Sequence, residues 1–147
     1  MIKRLATILV VLVSTTITNV SAEQSKSFGD YTVHFSAFNT NILTPAVASH
    51  YHITRSKTHA LLNISILKKL MGTPGTSVKA RIKATATNLN SQLRQLDVRE
   101  LNEHGSIYYI AETTVNNEET LKFTLTISPE GGTETYTFSF QQQFFTE

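Results

Sequence analysis

The sequence predicts an all-β protein, an antiparallel two-sheet sandwich that is immunoglobulin-like in outline, with about seven strands and one short helix in a long loop. Apolar and polar residues alternate in nearly every segment after Asp30, and turn-forming residues separate these segments. One connection of about twenty residues lacks this alternation. The Cys and Trp of antibody domains are absent, so the pattern predicts only the architecture. A small closed barrel is the alternative.

Seven segments have an apolar residue at every second position, as half-buried strands do. In chain order, these apolar stripes begin at Tyr31, Ala60, Val78, Leu96, Ile107, Leu121 and Tyr136. The third segment also carries Lys79, Arg81 and Lys83 on its other face. The fourth segment is highly charged, which is typical of an edge strand.

Turn residues predict how these strands connect. The predicted hairpin turns are His104-Gly105, Asn116-Asn117 and Gly131-Gly132. A hairpin centred on the glycine pair would place Phe123 opposite Phe140. A hairpin over residues 116–120 would place Val115 opposite Leu121. Both registers put apolar residues on one face, as a half-buried sheet requires.

The connection from Asn39 to Thr58 is longer than most structureless loops in compact domains. Thr44 followed by Pro45 is a typical helix start, with Thr as the N-cap and Pro at the first helical position. The sequence therefore predicts a helix of one or two turns that ends near His50.

The N-terminus has the pattern of a cleaved secretory signal peptide. Lys3 and Arg4 precede the apolar run from Leu5 to Val13, and Val20-Ser21-Ala22 is typical of a cleavage site. The apolar run is too short to span a bilayer, which takes about 20 residues. We therefore predict a signal peptide at residues 1–22, a single β-sandwich domain at residues 23–147, and a periplasmic location without a membrane span.

Composition excludes several classes of function. The chain has no Cys, so disulfide exchange, thiol catalysis, thiolate metal sites and lipid attachment at the cleavage point are all excluded. Without Lys3 and Arg4, eleven basic residues balance eleven acidic ones. A protein that binds nucleic acid is usually strongly basic, so we expect no nucleic-acid partner.

The charges are divided along the chain. No acidic residue lies between Tyr31 and Leu96, whereas nine lie from Asp97 onward. We interpret this as early strands that lie beside later ones, so that opposite charges meet. The alternative is a bipolar surface that binds a charged partner.

The long connection is the predicted functional surface, because loops on a rigid scaffold often carry function. Tyr51, Arg55 and Lys57 are the predicted partner-binding residues. Arg55 could form a bidentate contact with a carboxylate of the partner.

A metal site and a catalytic carboxylate pair are the alternatives to this partner-binding site. His50 and His52, with His59 or His34, could bind zinc or copper, although no acidic ligand lies nearby in the sequence. A carboxylate pair from Asp97, Glu100 and Glu103 could serve an uncharacterised envelope enzyme.

The basic stripe formed by Lys79, Arg81 and Lys83 has two interpretations. It could contact anionic lipid headgroups or polysaccharide phosphates in the envelope. The simpler interpretation is a solvated outer face of a sheet, which we favour.

The chain also resembles a known family. The matching segments are residues 28–39, Arg55-Ser56-Lys57, residues 60–64, Arg99-Glu100-Leu101, residues 107–110 and Gln142-Gln143-Phe144. They resemble a small family of exported proteins from Gram-negative bacteria that is known only as a domain of unknown function. The resemblance implies a periplasmic all-β domain, and it implies no activity and no catalytic or ligand residue.

The sequence as a whole predicts a non-catalytic periplasmic module that binds another protein of the envelope. We expect no cofactor, and the oligomeric state stays open. A metal-binding protein and an envelope enzyme are the alternatives from other classes.

Overall fold

The alternating segments of the sequence form strands throughout the computed structural model, which describes residues 23–147. The predicted signal peptide at residues 1–22 lies outside the described residues. The strands are β1 (Gln24–Phe28), β2 (Tyr31–Asn39), β3 (His59–Lys68), β4 (Thr76–Ser77), β5 (Ala80–Asn88), β6 (Leu93–Leu96), β7 (Arg99–Glu103), β8 (Ser106–Thr114), β9 (Glu119–Pro129) and β10 (Tyr136–Phe144). A 3-10 turn (Thr40–Ile42) and a helix, α1 (Pro45–His50), lie between β2 and β3.

These strands pair into two antiparallel sheets, which confirms the predicted sandwich. The first sheet has the order β1-β2-β3-β8-β7, and the two-residue strand β4 pairs with the end of β3. The second sheet has the order β10-β9-β5-β6. Residues 23–147 therefore do not form the closed barrel that was the alternative. Strands β1 and β4 were not predicted, and the predicted fourth segment forms two strands.

The core lies between the two sheets and consists of the inward-facing residues of both. Phe123 in the second sheet is fully buried and stacks on Phe140, with 5.2 Å between the ring centroids. Phe35 of the first sheet lies 4.6 Å from Phe140, so aromatic rings join the two layers. Alternation thus predicts the core correctly, because successive side chains of a strand point to opposite faces.

Two of the three predicted hairpins are confirmed. Phe123 pairs with Phe140 in the β9–β10 ladder, as predicted. His104 and Gly105 join β7 to β8 with φ angles of 52° and 87°. A two-residue hairpin of this kind needs positive φ at both positions, which glycine adopts without steric cost.

The predicted hairpin over residues 116–120 is wrong. Strand β8 lies between β3 and β7 in the first sheet, whereas β9 lies between β5 and β10 in the second. Both strands already have partners on each side, so they cannot pair with each other. Val115 and Leu121 are both buried in the shared core, and this explains why the apolar pattern fitted the wrong pairing.

The predicted fourth strand is also corrected. Strand β6 ends at Leu96 on an edge of the second sheet, and β7 begins at Arg99 on an edge of the first. The chain therefore crosses between the sheets at Asp97 and Val98. Its charged residues belong to two edges rather than to one strand.

The predicted helix is confirmed at its start and its end. Thr44 is the N-cap, and its side-chain oxygen accepts a hydrogen bond from the Val47 backbone N–H at 3.3 Å. Pro45 is the first helical residue, and the helix ends at His50. No helix within residues 23–147 combines the length and the apolar character that a bilayer crossing requires.

Candidate functional site

The long connection packs on the face of the first sheet that points away from the core. We call this face the outer face of the first sheet. A second buried cluster forms there from Ala48, Ile53, Leu61 and Ile110, with Phe38, Leu43, Tyr51 and Leu101 packed against it. The first sheet is therefore apolar on both faces where the loop covers it.

Two runs of three consecutive apolar residues could have indicated this cluster, although simple alternation did not. Residues 60–62 are all buried, and so are residues 109–111. Leu61 and Ile110 thus break the alternation at neighbouring positions in β3 and β8. Three consecutive apolar residues in a half-exposed strand indicate that a further element covers its second face.

Thr40 holds the two ends of the connection together. Its side chain is fully buried, and its hydroxyl donates to the Thr54 carbonyl at 2.7 Å. The same oxygen accepts from the Ser56 backbone N–H at 2.9 Å. Asn39 adds a second link, since its side-chain amide donates to the Lys57 carbonyl at 2.7 Å. These hydrogen bonds therefore link the start of the long connection to its end.

Arg55 also contacts the loop itself. Its Nε donates to the Leu43 carbonyl at 2.7 Å, and its Nη2 donates to the Asn41 carbonyl at 3.3 Å. The guanidinium thus bridges two backbone oxygens on the opposite limb of the loop. Contact with a partner carboxylate stays a prediction, and the visible role of Arg55 is to hold this limb in place.

A groove lies between the loop and the outer face of the first sheet. It encloses about 390 Å³ and is lined mainly by apolar side chains. Val47 and Tyr108 line it and remain 40% and 38% exposed. It continues into a broader, more polar depression of about 780 Å³, where Ile42 is 67% exposed. Phe38 and Tyr108 line both parts, so they form one continuous surface. We call this surface the outer groove.

A small polar cluster borders the outer groove. Glu103 lies on β7, with its Oε1 3.4 Å from Nε2 of His50. Hydrogen bonds from Tyr51 and then from His50 hold the pKa of Glu103 below its usual range. Burial, together with the Glu103 charge, raises the pKa of Tyr51. Arg99 donates a hydrogen bond to the Tyr51 carbonyl, so this end of α1 is tied to the sheet edge.

The predicted partner-binding residues occupy different positions around this loop. Tyr51 lines the outer groove. Arg55 supports the loop limb that contains Leu43, itself a groove-lining residue. Lys57 is exposed at the far end of the connection and does not line the groove. Sequence reasoning missed the groove-lining residues Val47, Leu101 and Tyr108, because they come from three separate elements.

The histidines considered as metal ligands lie in different surroundings. His34 pairs with Glu23 at 3.3 Å, whereas His50 pairs with Glu103. His59 has a buried Nδ1 without a hydrogen-bond partner. In the part of the chain that the structure describes, no three or more His, Asp or Glu side chains are arranged to hold a metal ion.

Two of the carboxylates considered for acid–base chemistry, Glu100 and Glu103, do not converge. Glu100 and Glu103 are an odd number of residues apart on β7, so they point to opposite faces of the sheet. Glu100 accepts a hydrogen bond from the Tyr109 hydroxyl at 3.2 Å and pairs with Lys79 at 3.4 Å. Glu103 instead faces His50. The strand geometry therefore separates this pair.

Solved structures show the same fold in other proteins. A crystal structure of a DUF4426 family protein from Pseudomonas aeruginosa PAO1 has 34% identity and a TM-score of 0.72, and the match covers 85% of this chain and 96% of that one. FetP from uropathogenic Escherichia coli strain F11, expressed recombinantly in the periplasm, has 11% identity and a TM-score of 0.58 over 85% of this chain and 95% of that chain. A copper-bound variant of FetP has 11% identity and a TM-score of 0.59 over 86% and 97% of the two chains.

At 11% identity, the FetP structures show likeness of fold alone. A comparison with curated proteins gives no significant match. The sequence signature described as "Domain of unknown function (DUF4426)" matches residues 25–147. This match confirms the resemblance seen in the sequence, and the chain belongs to the DUF4426 family.

Proposed function

We propose that this protein is a non-catalytic periplasmic binding module that holds another envelope protein at the outer groove. The observation that carries the proposal is the convergence of partly exposed apolar side chains on one concave surface. Ile42, Val47 and Tyr108 come from the 3-10 turn, α1 and β8, and all three line the outer groove. A concave apolar surface with a polar border is typical of an interaction site.

A protein partner suits this surface better than a small polar ligand. The narrower part of the outer groove is mainly apolar, with Glu103 as its charged lining residue. That carboxylate is already hydrogen-bonded to Tyr51 and His50. A partner that inserts an apolar side chain would bury Val47 and Tyr108 and leave this polar cluster intact. We propose Tyr51 as a direct contact, Arg55 as the support of the groove wall and Lys57 as a peripheral contact.

The absence of catalysis is part of the proposal. General acid–base chemistry needs groups whose pKa values are moved toward the working pH. The Glu103 pKa is instead lowered and that of Tyr51 is raised, so both move away from neutrality. Such shifts support a structural role for this cluster.

The periplasmic location is supported by two observations. Residues 1–22 have the pattern of a cleaved signal peptide, and FetP, which has a similar fold, was expressed in the periplasm. Cell fractionation followed by intact-mass measurement would test this part of the proposal. We expect the protein in the periplasmic fraction. Its mass should correspond to a chain whose first residue is Glu23. A full-length mass or a cytoplasmic location would contradict it.

The partner is best tested by photo-crosslinking in the native periplasm. A photoreactive phenylalanine analogue replaces Val47 in the outer groove, and Leu89 serves as the control because it is 79% exposed in the β5–β6 turn. We expect one dominant protein adduct from position 47 that is missing from position 89. The purified partner should bind the wild type, and Tyr51→Ala should weaken binding about tenfold, or about 1.4 kcal/mol. Identical adducts from both positions, or none from position 47, would contradict the proposal.

Copper binding is the alternative function, because a variant of the similar FetP was solved with copper bound. It is the weaker candidate, since no suitable group of three His, Asp or Glu side chains occurs within residues 23–147. Metal analysis of protein purified from its own periplasm tests it. Stoichiometric copper or zinc that is lost in a His50→Ala, His52→Ala double variant would replace the binding-module proposal.

A further inference from the structure

The outer face of the second sheet is a polar surface without a carboxylate. We call it the hydroxyl face. It consists of the outward residues of β5, β6, β9 and β10, in four rows across the sheet: Arg81, Ser128 and Thr135; Lys83, Thr126 and Thr137; Gln95, Thr85, Thr124 and Ser139; Leu93, Thr87, Lys122 and Gln141. Among these residues only Leu93 is a large apolar one, so the surface is built for polar contacts.

Three cations on this face lack an acidic partner. Arg81, Lys83 and Lys122 are exposed, and none has a carboxylate within 4.0 Å among residues 23–147. Lys79 just before β5 behaves differently, because it pairs with Glu100 at 3.4 Å. The structure thus neutralises the cation beside the face and leaves three cations on the face available to an anion.

Hydroxyl groups form a ladder beside these cations. Three cross-strand pairs lie between β9 and β10, with oxygen–oxygen distances of 2.9, 3.3 and 2.8 Å: Thr124–Ser139, Thr126–Thr137 and Ser128–Thr135. A hydroxyl has one donor and two acceptor positions, so each pair uses one donor and keeps the other for a ligand. The ladder can therefore donate to and accept from the hydroxyl groups of a sugar.

Two of these cations and part of the hydroxyl ladder meet in a shallow cavity of about 550 Å³. Its lining includes Arg81, Lys83, Thr126, Ser128 and Thr135. An arginine can hold a carboxylate or phosphate with two hydrogen bonds, and a neighbouring lysine adds a second positive charge. The cavity thus combines anion recognition with hydroxyl recognition.

We infer that the hydroxyl face binds an anionic polysaccharide, with an acidic sugar seated between Arg81 and Lys83. A flat anionic membrane fits less well, because acidic side chains lie in turns at both ends of the face. Glu130 and Glu134 lie in the β9–β10 turn, and Glu118 precedes β9. A planar bilayer would approach all three carboxylates, whereas a narrow chain can cross the middle of the face. This inference concerns a different sheet from the outer groove and does not depend on the proposed function.

Isothermal titration of residues 23–147 with defined oligosaccharides tests this inference. The probes are a carboxylated oligo-uronate, a phosphorylated oligosaccharide and a neutral dextran of equal length. We expect binding of at least one anionic probe and none of dextran. The Arg81→Gln, Lys83→Gln double variant should bind at least about tenfold more weakly, since hydrogen bonds to charged groups are among the stronger ones.

The matched control is the Lys68→Gln, Lys69→Gln double variant, which removes the same charge at the end of β3, away from the hydroxyl face. It should retain the wild-type affinity, and both double variants should unfold at the wild-type denaturant concentration. No binding of either anionic probe would overturn the inference, and so would equal weakening in the two variants. Binding to phosphatidylglycerol vesicles without binding to the anionic probes would overturn it in favour of a membrane.

Discussion

At the scale of the residue, Thr40 shows how one polar side chain organises the long connection. It is the polar residue in the buried set of residues 23–147, and its hydroxyl bonds to both Thr54 and Ser56. Burial of the Thr40 hydroxyl without these partners would cost free energy. The loop conformation that supplies the partners is therefore stabilised over others. The surface that Tyr51 and Val47 present therefore depends on a residue that lies outside the groove lining.

Thr40→Val keeps the shape of the side chain and removes its hydroxyl. The Ser56 N–H and the Thr54 carbonyl then lose a partner, and we expect the free energy of unfolding to fall by about 1–3 kcal/mol. Urea unfolding monitored by circular dichroism measures this change. Thr54→Val is the control in the same loop, because the Thr54 residue is exposed and its hydrogen bonds are made by its backbone, and it should alter stability by less than about 0.5 kcal/mol. Equal losses in the two variants would contradict the role of Thr40.

The lowered pKa of Glu103 predicts that the stability of the fold depends on pH. Hydrogen bonds from Tyr51 and His50 lower its pKa from an ordinary value near 4.5. A carboxyl whose pKa is lower in the folded state stabilises the fold above its unfolded-state pKa. This stabilisation is lost as the pH falls through the folded-state pKa. We therefore expect Glu103→Gln to lose less stability than the wild type as the pH falls below about 4.5, the ordinary pKa of the carboxyl group.

Denaturant unfolding at several acidic pH values measures this difference. Glu130→Gln, at an exposed position in the β9–β10 turn, serves as the control and should follow the wild-type profile. If Glu103→Gln also follows the wild-type profile, the hydrogen bonds to Glu103 do not contribute to acid stability.

At the scale of the element, the end of β10 shows how strand geometry assigns roles to neighbouring residues. Phe144 is 1% exposed and contacts Phe123 edge to face, with ring centroids 6.2 Å apart. Phe145 follows immediately and is 57% exposed. Because successive side chains of a strand point to opposite faces, one of these two consecutive rings must point outward, and the register with β9 decides which one. Phe144 pairs with Glu119 and faces the core, while the Phe145 carbonyl accepts a hydrogen bond from Asn39.

Removal of the Phe144 ring should destabilise the fold much more than removal of the Phe145 ring. Phe144→Ala leaves a cavity in the core and should lower the free energy of unfolding by about 3–5 kcal/mol. Phe145→Ala keeps its backbone contact with Asn39 and should change stability by less than about 1 kcal/mol. Parallel urea titrations compare the two variants. Similar losses would show that the end of β10 does not pack as described.

At the scale of the whole molecule, side chains at the edges help to hold the two sheets together. Arg94 on β6 of the second sheet donates to the Thr114 carbonyl at the end of β8 in the first sheet, at 2.6 Å. It also donates to Glu119 at 2.7 Å, and these two side chains are 28% and 9% exposed. This contact and the Lys79–Glu100 pair are two cases in which a basic residue of the earlier chain meets an acidic residue of the later chain.

The Arg94–Glu119 pair should contribute more than an exposed ion pair. Arg94→Met removes the cation that pairs with the mostly buried Glu119 carboxylate. We expect the free energy of unfolding to fall by about 2–4 kcal/mol. The Arg94→Met, Glu119→Gln double variant should lose less than the sum of the single variants. The Lys79–Glu100 pair, with side chains 55% and 35% exposed, is the matched control and should show coupling below about 1 kcal/mol. Equal coupling in the two double-mutant cycles would contradict this role.

The sequence by itself determined the local features of this protein. It predicts most of the strands, the inward residues such as Phe123 and the helix that begins after Thr44. Each of these follows from interactions between residues close in the chain: side-chain alternation in a strand, or a cap that accepts a hydrogen bond three residues ahead. It also carries the segments that identify the family.

Only the tertiary structure decided which elements meet. The apolar pattern of β8 and β9 allows a hairpin, and their separation into two sheets depends on strands β3 and β5 from elsewhere in the chain. In the same way, Arg55 reaches carbonyl oxygens in its own loop, and Glu100 and Glu103 separate to opposite faces of β7. The outer groove joins side chains from the first half of the chain, such as Val47, with side chains from the second half, such as Leu101 and Tyr108. Local patterns state which face a residue occupies, but partners across sheets and loops are chosen by the packing of the whole chain.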